Sequence, residues 1–447
     1  MKTEGQKTAK FGGTSLADAN RISKVVEIVK SDPSRRFVVV SAPGKRHAED
    51  QKVTDMFAHW ARADEEEKNA LLEIIYARFK SIVDELEVGI DLDALFEKIE
   101  QEAHPLRRNE HRLLHFALSR GEWLCGKIVA AALGFEFLDA AEFITFDSRG
   151  TYDPEATTKR AKRIKLQEKA RKGVVIPGFY GHVAGSKGMI QTFPRGGSDI
   201  TGAIVAALVE ASVYENWTDV LGIRMADPRV VKNPKKIPLM TYRELRELTF
   251  MGANVFHENA VAPVRAVGIP IHVRSTSAPS KTGTWIVTEI SKPKLPVTGI
   301  AGKGGFTTVT LLKYDMNNEV GFLWRALGVF QKLGIGVDHC PGTVDSVSFV
   351  VATATLEGKQ ERLIELLNSA CNPDVIRMSN KLGLVCTVGI GMAETPGIAG
   401  DICSALGKAG INITLLNQGG SEINIVVGVK EEDLAPAIRA IYNAFVS

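Results

Sequence analysis

Three short polar stretches carry residue types at spacings that suit chemistry. The first is Lys10-Phe11-Gly12-Gly13-Thr14-Ser15, ahead of a helical pattern with apolar Ile22, Val25, Val26 and Val29. Glycines let the backbone approach an anion, the free N–H groups at a helix start favour negative charge, and Lys10 supplies a point charge for phosphate oxygens. The second is Thr192-Phe193-Pro194-Arg195-Gly196-Gly197-Ser198-Asp199, which opens the helical run DITGAIVAALVEA. Here Arg195 can clamp a carboxylate in bidentate fashion, and Asp199 can orient an ammonium group or a metal-bound water. A plain helix start asks only for a Ser or Asp cap, so this stretch holds more polarity than capping requires. The third is Asn216-Trp217-Thr218-Asp219-Val220, after the strand-like ASVYE and before Met225-Ala226-Asp227-Pro228-Arg229. Thr and Asp at a strand end suit base or ribose hydroxyls, and Arg229 is placed to meet phosphates. Taken singly, the first is more often an ordinary Gly-Gly turn and the third an ordinary Asp-Pro turn.

The elements that must position these residues are legible in outline. The first three-fifths alternates strand, Gly-rich turn and helix, the rhythm of an α/β domain with a largely parallel, buried sheet. FVVVSAPG from Phe37 and GVVIPGFYG from Gly173 are short, β-branched runs closed by Pro and Gly, as buried strands ending in functional loops should be. Leu71, Leu72, Ile75, Phe79, Ile82, Val83 and Leu86 repeat at helical spacing. SKPKLP from Ser291 to Pro296 reads as a linker. Beyond it, GFLWRALGVFQKLGIGVDH from Gly321 and GIAGDICSALGKAGINITL from Gly397 repeat one pattern. The offset is 397 − 321 = 76 for the first glycine and 410 − 334 = 76 for the glycine after the helix. Each copy reads strand, Gly turn, amphipathic helix, Gly turn, strand, a duplicated βαβ-type module.

Composition narrows the partners. A chain of 447 residues with 45% hydrophobic and 24% charged residues can fill two or three cores, and a net charge of +3 is too small to steer it to nucleic acid or a membrane surface. Cys125, Cys340, Cys371, Cys386 and Cys403 are scattered, which predicts reduced thiols in a cytoplasmic protein. No apolar run has the length of a signal peptide core or a bilayer span.

Together the stretches KFGGTS, VVVSAPGKR with KVTD, SRGE, PGFYG, RGGSD, WTDV and ADPRVV, in that order, resemble the aspartate kinase family over nearly the whole chain. The resemblance implies an amino-acid-kinase-type, largely parallel sheet flanked by helices over residues 1–290. It implies a linker and a strand pairing with the second module over 291–304, and two ferredoxin-like βαββαβ ACT modules over 305–380 and 381–447. It implies ATP with Mg2+ as cofactors and L-aspartate as the phosphoryl acceptor. Lys10, Phe11, Gly12, Gly13 and Ser15 would line the phosphates, with Lys10 stabilising the transferred group, and Thr218, Asp219 and Arg229 would hold the nucleotide. Ser41, Thr54, Glu122, Arg195, Ser198 and Asp199 would bind aspartate, Arg195 on a carboxylate and Glu122 toward the amino group, with Phe179 and Tyr180 in the loop nearby. Lys10, Arg195 and Asp199 form the expected catalytic set. No protein ligand is assigned to the metal. Where many members carry a Lys this chain has Asn254, and Arg224 stands in place of an aromatic.

By the same resemblance the paired modules bind a feedback amino acid, lysine foremost and threonine second, at a homodimer or dimer-of-dimers interface. Met316, Asn318, Glu319, Gly321, Phe322, Leu323, Asp338, Val344, Asp345 and Ser346 match the effector pocket. Polar residues also occupy the mouth of any βαβ turn, which is the plainer reading. Alternatives are another amino-acid or carbamate kinase, which need not carry both RGGSD and SRGE, and a catalytically silent amino-acid sensor, which Asn254 favours and intact Lys10, Arg195 and Asp199 oppose. A fused dehydrogenase is not expected at this length. His111 and His115, beside Glu110, form an i, i+4 pair without an apparent third ligand, so a metal site is not assigned. The eight Lys or Arg between Lys159 and Lys172 lack interleaved aromatics and read as a solvated helix face. His257 and the tryptophans are expected to pack.

Overall fold

The computed structural model describes residues 5–186, 188–194, 196–253, 256, 260–293 and 295–446. Two compact units emerge: Met1–Ile223 with Pro238–Tyr242 and Val255–Ile290, and Arg224–Ile237 with Arg243–Asn254 and Ser291–Ser447. Two segments inside the 1–290 stretch therefore group with the second unit.

In chain order the first elements are β1 (Lys7–Phe11), α1 (Ala19–Lys30), β2 (Arg35–Val40), α2 (Val53–Arg62), α3 (Glu65–Leu86), α4 (Leu92–Ala103) and α5 (Glu110–Leu133). Next come β3 (Glu136–Phe137), β4 (Thr145–Phe146), α6 (Pro154–Arg163), β5 (Val174–Pro177), β6 (Tyr180–Val183), β7 (Ile190–Thr192), α7 (Gly197–Leu208) and β8 (Val213–Thr218). They are followed by β9 (Leu239–Thr241), α8 (Tyr242–Phe250), α9 (Ala262–Ala266), β10 (Ile271–Ser275) and β11 (Thr284–Val287). The second unit's strands and remaining helices are β12 (Gly299–Leu312), α10 (Phe322–Lys332), β13 (Ser346–Ala352), α11 (Gln360–Cys371), β14 (Val375–Val388), α12 (Ile398–Lys408), β15 (Leu415–Gln418), β16 (Asn424–Lys430) and α13 (Leu434–Val446).

The main sheet of the first unit runs β3-β5-β2-β1-β8-β10-β11-β9. Its strands from β3 to β10 pair in parallel, and only the β10–β11 step is antiparallel. β1 lies between β2 and β8 and is buried from Thr8 to Phe11 although its sequence lacks an apolar run. Pairing on both edges compensates, because the ladder satisfies each backbone N–H and C=O. Parallel pairing also carries the C-terminal ends of β1, β2, β5, β8 and β10 to one edge, where open α/β sheets bind ligands. A small sheet β4-β6-β7 stands apart from it.

Helices start where the sequence offers caps. Asp18, Asp64, Asp91, Asn109 and Asp153 each accept a first-turn N–H from α1, α3, α4, α5 and α6. The basic run from Lys159 is not one helix face: α6 ends at Arg163, and Lys165 sits at φ 52° before a 3-10 turn.

In the second unit one antiparallel sheet, β13-β12-β14-β16-β15, serves both modules. β12 and β14 run side by side from Gly299 opposite Val388 to Leu312 opposite Val375. Residues Gly299 to Lys303 thus face Val388 to Leu384, while the rest of β12 also pairs with β13. The first core gathers Val309, Leu311, Phe322, Phe330, Phe349, Leu363 and Leu367. The 76-residue repeat is visible in the backbone: Gly321 and Gly397 at φ 81° and 97° precede α10 and α12, and Gly334 and Gly410 at φ 64° and 69° follow them. Positive φ at these four turns is what selects glycine. Trp60, Trp123 and Trp217 are buried as expected, but Trp324 on α10 is 79% exposed.

Candidate functional site

The site begins with a register. Lys10 of β1 lies opposite Asn216 of β8, so both side chains leave the same face of the sheet. They converge on Asp199 in the first turn of α7: Lys10 Nζ is 2.6 Å from Asp199 Oδ1, and Asn216 Nδ2 donates to the same oxygen at 2.7 Å. Tyr214, two residues earlier on β8, donates from its hydroxyl to the Asp199 carbonyl at 3.0 Å. Lys10, Ser198 and Asn216 are buried. Unlike the capped helices, α7 starts from Gly196 at φ 78° with no side-chain cap, which suits an anion.

The two glycines after Phe11 differ in what they permit. A Cβ on Gly13 would stand 2.7 Å from the Ala42 carbonyl, and one on Gly44 would stand 2.7 Å from Gly13. Those glycines let the loops after β1 and β2 touch backbone to backbone, tied by Gly44 N–H donating to Gly13 C=O at 2.8 Å. A Cβ on Gly12 would meet nothing nearer than Lys10 Nζ at 3.6 Å, which leaves room for a ligand beside that ammonium. Ser41 N–H donates to Phe11 C=O at 3.2 Å, fixing the β2 end beside the β1 end.

Glu122, midway along α5, is fully buried against this edge. Burial pushes its carboxyl up from 4.5 to about 8, against the Ala42 backbone N–H that it accepts and the charge of Lys10. Its Oε2 has no hydrogen-bond partner. A buried acceptor left open is costly to the fold, so it calls for a ligand donor. Thr54 occupies the first turn of α2, next to Val53, whose side chain comes within 3.1 Å of a Cβ built on Gly121. Phe179 adopts φ 80°, a strained conformation for a bulky side chain. It is held by its N–H to Thr201 Oγ1 at 3.0 Å and by Phe193 N–H to its carbonyl at 2.8 Å. A Cβ on Gly197 would lie 2.5 Å from the Phe179 ring.

The opposite face of the sheet is braced by charge. Glu215 accepts from Arg35 Nε at 2.7 Å, Trp217 Nε1 at 2.9 Å and Arg274 at 3.2 Å. Burial opposes its charge, and these partners overcome it, leaving its carboxyl below the usual range. This anchors Trp217 and hence Thr218, whose carbonyl accepts Thr276 N–H at 2.9 Å. Thr276 in turn bonds Ser15 Oγ at 2.8 Å, so the β1, β8 and β10 ends form one rim. Asp219 is exposed next to Thr218, whose hydroxyl donates to it at 3.1 Å. Arg229 is carried by the second unit, exposed and paired with Asp227 at 2.6 Å. Arg195, Asn254 and His257 lie outside the described residues. Arg224 donates to the Pro234 carbonyl at 3.1 Å.

The residues expected to form an effector pocket separate into two places. Met316 to Glu319 and Val344 to Ser346 meet: Asn317 N–H donates to Val344 C=O at 3.2 Å, and Asp345 accepts Asp315 N–H at 2.8 Å. Glu319 is ion-paired with Lys313 and Arg325. Phe322 is buried, whereas Leu323 is half-exposed. Asp338 does not join them; its N–H bonds Val350, four residues along β13 from Ser346.

Sequence reasoning left Asn216 without a role, although an Asn inside the buried run Val213–Thr218 must have a partner. A cavity of about 1150 Å3, lined by Phe146, Tyr152, Phe193, Ile200 and Ile204 among others, holds none of the expected residues. The described members of the expected set gather at the sheet edge instead.

Comparison with known proteins adds lineage to this geometry. Residues 8–275 match the amino acid kinase family model, and residues 385–445 match an ACT domain model. The chain is 35% identical over 455 residues to aspartokinase 3 of Bacillus subtilis, covering 98% of each. A crystal structure of Clostridium acetobutylicum aspartate kinase superposes with a TM-score of 0.88 at 43% identity, over 98% of this chain and 100% of that one. E. coli aspartokinase III, 25% identical over 99% of this chain and 100% of its own, superposes with a TM-score of 0.79 in its R-state complex with aspartate and ADP. Its T-state complex with lysine and aspartate gives a TM-score of 0.74.

Proposed function

The chain belongs to the aspartokinases of the amino acid kinase family, and from that premise we propose that it transfers the γ-phosphoryl group of ATP to the side-chain carboxylate of L-aspartate, giving ADP and 4-phospho-L-aspartate. The observation that carries the reading is the convergence of Lys10, Asn216 and Asp199 at the C-terminal edge of the sheet, beside an open Glu122 oxygen.

The acceptor carboxylate is ionised at neutral pH, so no general base is required. A side-chain oxygen of aspartate attacks the γ-phosphorus while the bond to the bridging oxygen breaks, and ADP leaves with the electron pair. Catalysis then rests on in-line positioning and on neutralising charge as it shifts. Lys10 leaves Asp199 to meet the γ-phosphoryl oxygens, and Asn216 retains Asp199 in place. The backbone at Gly12, Gly13 and the uncapped start of α7 supplies N–H groups, and Ser15, Thr218, Asp219 and Arg229 serve the nucleotide. Glu122 receives the aspartate ammonium on its unpartnered oxygen, while Ser41, Thr54, Phe179, Arg195 and Ser198 position the rest of the substrate. Among the described residues no three His, Cys, Asp or Glu side chains gather around a metal position. Mg2+ would be held largely by nucleotide oxygens and water, with Asp199 placed to orient a metal-bound water, and it would supply neutralisation of phosphate charge.

Regulation follows from the second unit. The effector pocket takes a feedback amino acid, lysine foremost, and is completed by a second copy. In support, Asp338 lies away from the Met316 and Val344 loops within one chain, and Tyr314, Val320, Trp324 and Val344 are exposed between 62% and 96%. The product would feed the amino acids built from aspartate, in the cytoplasm. The test is ADP release from ATP and Mg2+ with L-aspartate, L-glutamate or no acceptor, repeated with L-lysine and L-threonine. Aspartate-dependent turnover lowered by one of these is the expected result; ADP release indifferent to aspartate would overturn the assignment.

A further inference from the structure

Two arginines outside the expected set each bond to two loops of the site at once. Arg78, on α3, is buried. Its Nη2 donates to the Ala17 carbonyl at 2.8 Å and the Gly44 carbonyl at 3.0 Å, and its Nη1 donates to Asp50 Oδ2 at 2.7 Å. Arg21, on α1, repeats the arrangement nearer the surface. Its Nη1 donates to the Thr14 carbonyl at 3.0 Å and the Lys45 carbonyl at 3.2 Å, and its Nη2 to the Arg46 carbonyl at 3.1 Å. Thr14 and Ala17 lie between β1 and α1, and Gly44 to Asp50 between β2 and α2, so each guanidinium spans the same gap. Arg46 and Asp50 close the circuit, with Arg46 N–H and Nε donating to Asp50 Oδ2 at 2.9 and 2.8 Å. Burial opposes the Asp50 charge; the Arg46 backbone N–H and guanidinium overcome it and hold the carboxyl below the usual range.

Residues 41–52 run from β2 to α2 without helix or strand, so no ladder fixes their path and outside bonds must. Stability alone is a weak account of Arg78. A buried ion pair adds little over apolar side chains of the same volume, and Arg78 Nε stays buried with no hydrogen-bond partner, which is costly to the fold. What the two arginines do secure is the placement of one loop against the other. On the aspartokinase reading, on which this inference rests, the loop after β1 holds the phosphoryl donor, and the loop from Ser41 to Thr54 holds the acceptor.

We propose that Arg78 and Arg21 are positioning residues for phosphoryl transfer, clamping the donor loop to the acceptor loop so that the aspartate carboxylate meets the γ-phosphorus in line. Neither guanidinium needs to touch a ligand to do this. In-line attack tolerates little error, since a displacement of about 1 Å can lower the rate about a hundredfold. Each loop still binds its own ligand when the clamp loosens, so the effect belongs to kcat and not to KM.

The experiment compares the full wild-type chain with Arg21→Ala and Arg78→Lys, by steady-state kinetics with ATP, Mg2+ and L-aspartate and by calorimetric titration of ADP. The Arg21 side chain is 34% exposed, so its removal should leave the fold intact even if Arg78→Lys loosens the core. Arg78→Lys keeps the charge toward Asp50 but loses the planar fork that reaches two carbonyls together. The expected result is a kcat lower by about tenfold in Arg21→Ala and by more in Arg78→Lys, with both KM values within about twofold of wild type. ADP should still bind at one site per chain. A kcat equal to wild type in both variants, a raised KM with kcat kept, or ADP sites lost in step with kcat would overturn the proposal. A wild-type chain whose ATP use does not respond to aspartate would instead bring down the kinase reading itself, so the two failures are read separately.

Discussion

Glu122 and Asn216 carry the sharpest consequences at the scale of single residues. In the free enzyme Glu122 stays protonated up to about pH 8, whereas the unfolded chain ionises it near 4.5. Between those values the unfolded state binds fewer protons than the folded one, so this group costs stability as pH rises through the window and no more above it. Glu122→Gln should remove that cost: its melting temperature should gain on wild type between pH 5 and pH 8, as differential scanning fluorimetry across pH would read. The same variant should raise the KM for aspartate by about tenfold or more, since a bound ammonium favours the ionised form of Glu122 and an amide has no ionised form to offer. Asn216→Leu keeps the γ-branched shape and removes the donor to Asp199. Its kcat/KM should fall about tenfold, the worth of a hydrogen bond to a charged group, with the fold intact by circular dichroism.

At the scale of elements, the start of α7 has little room to give. Gly197 touches both the Phe179 ring and Phe193, with a built Cβ at 2.5 and 2.8 Å. Gly197→Ala should therefore destabilise by about 1–3 kcal/mol, and should lower turnover more than stability because Ser198 and Asp199 shift with the helix. Chemical denaturation alongside steady-state kinetics measures both. The elements themselves were largely legible: apolar runs closed by Pro and Gly became β2 and β5, and glycines at a 76-residue offset became the positive-φ turns around α10 and α12. β1 was harder to read because its burial comes from pairing on both edges rather than from apolar side chains. The basic run after Lys159 misled because charge gives no sign of the backbone reversal at Lys165. In the site, motif residues could be named from sequence, but not the partner of each. That Lys10 and Asn216 share Asp199 depends on the β1–β8 register, and that Glu122 lacks a partner depends on how α5 packs, neither of which local sequence encodes.

At the scale of the whole molecule, the exposed apolar face of the first module predicts assembly. Val320 is 96% and Trp324 79% exposed, on and just before α10, a hydrophobic surface a monomer would not keep bare. Replacing Val320 with Lys and Trp324 with Glu together should shift the particle mass to that of one chain in analytical ultracentrifugation. If the pocket is completed by a second copy as proposed, the same variant should lose inhibition by the feedback amino acid while retaining turnover. A dimer that persists, or inhibition that survives in a monomer, would place the effector elsewhere.

The central claim, phosphoryl transfer to the aspartate side chain, is tested most directly by trapping the product. Acyl phosphates react with hydroxylamine, so incubation with ATP, Mg2+, L-aspartate and hydroxylamine should yield the aspartate β-hydroxamate in step with ADP. That yield should drop about a hundredfold or more in Lys10→Ala. ADP formed without hydroxamate, or a Lys10→Ala variant as active as wild type, would contradict the account.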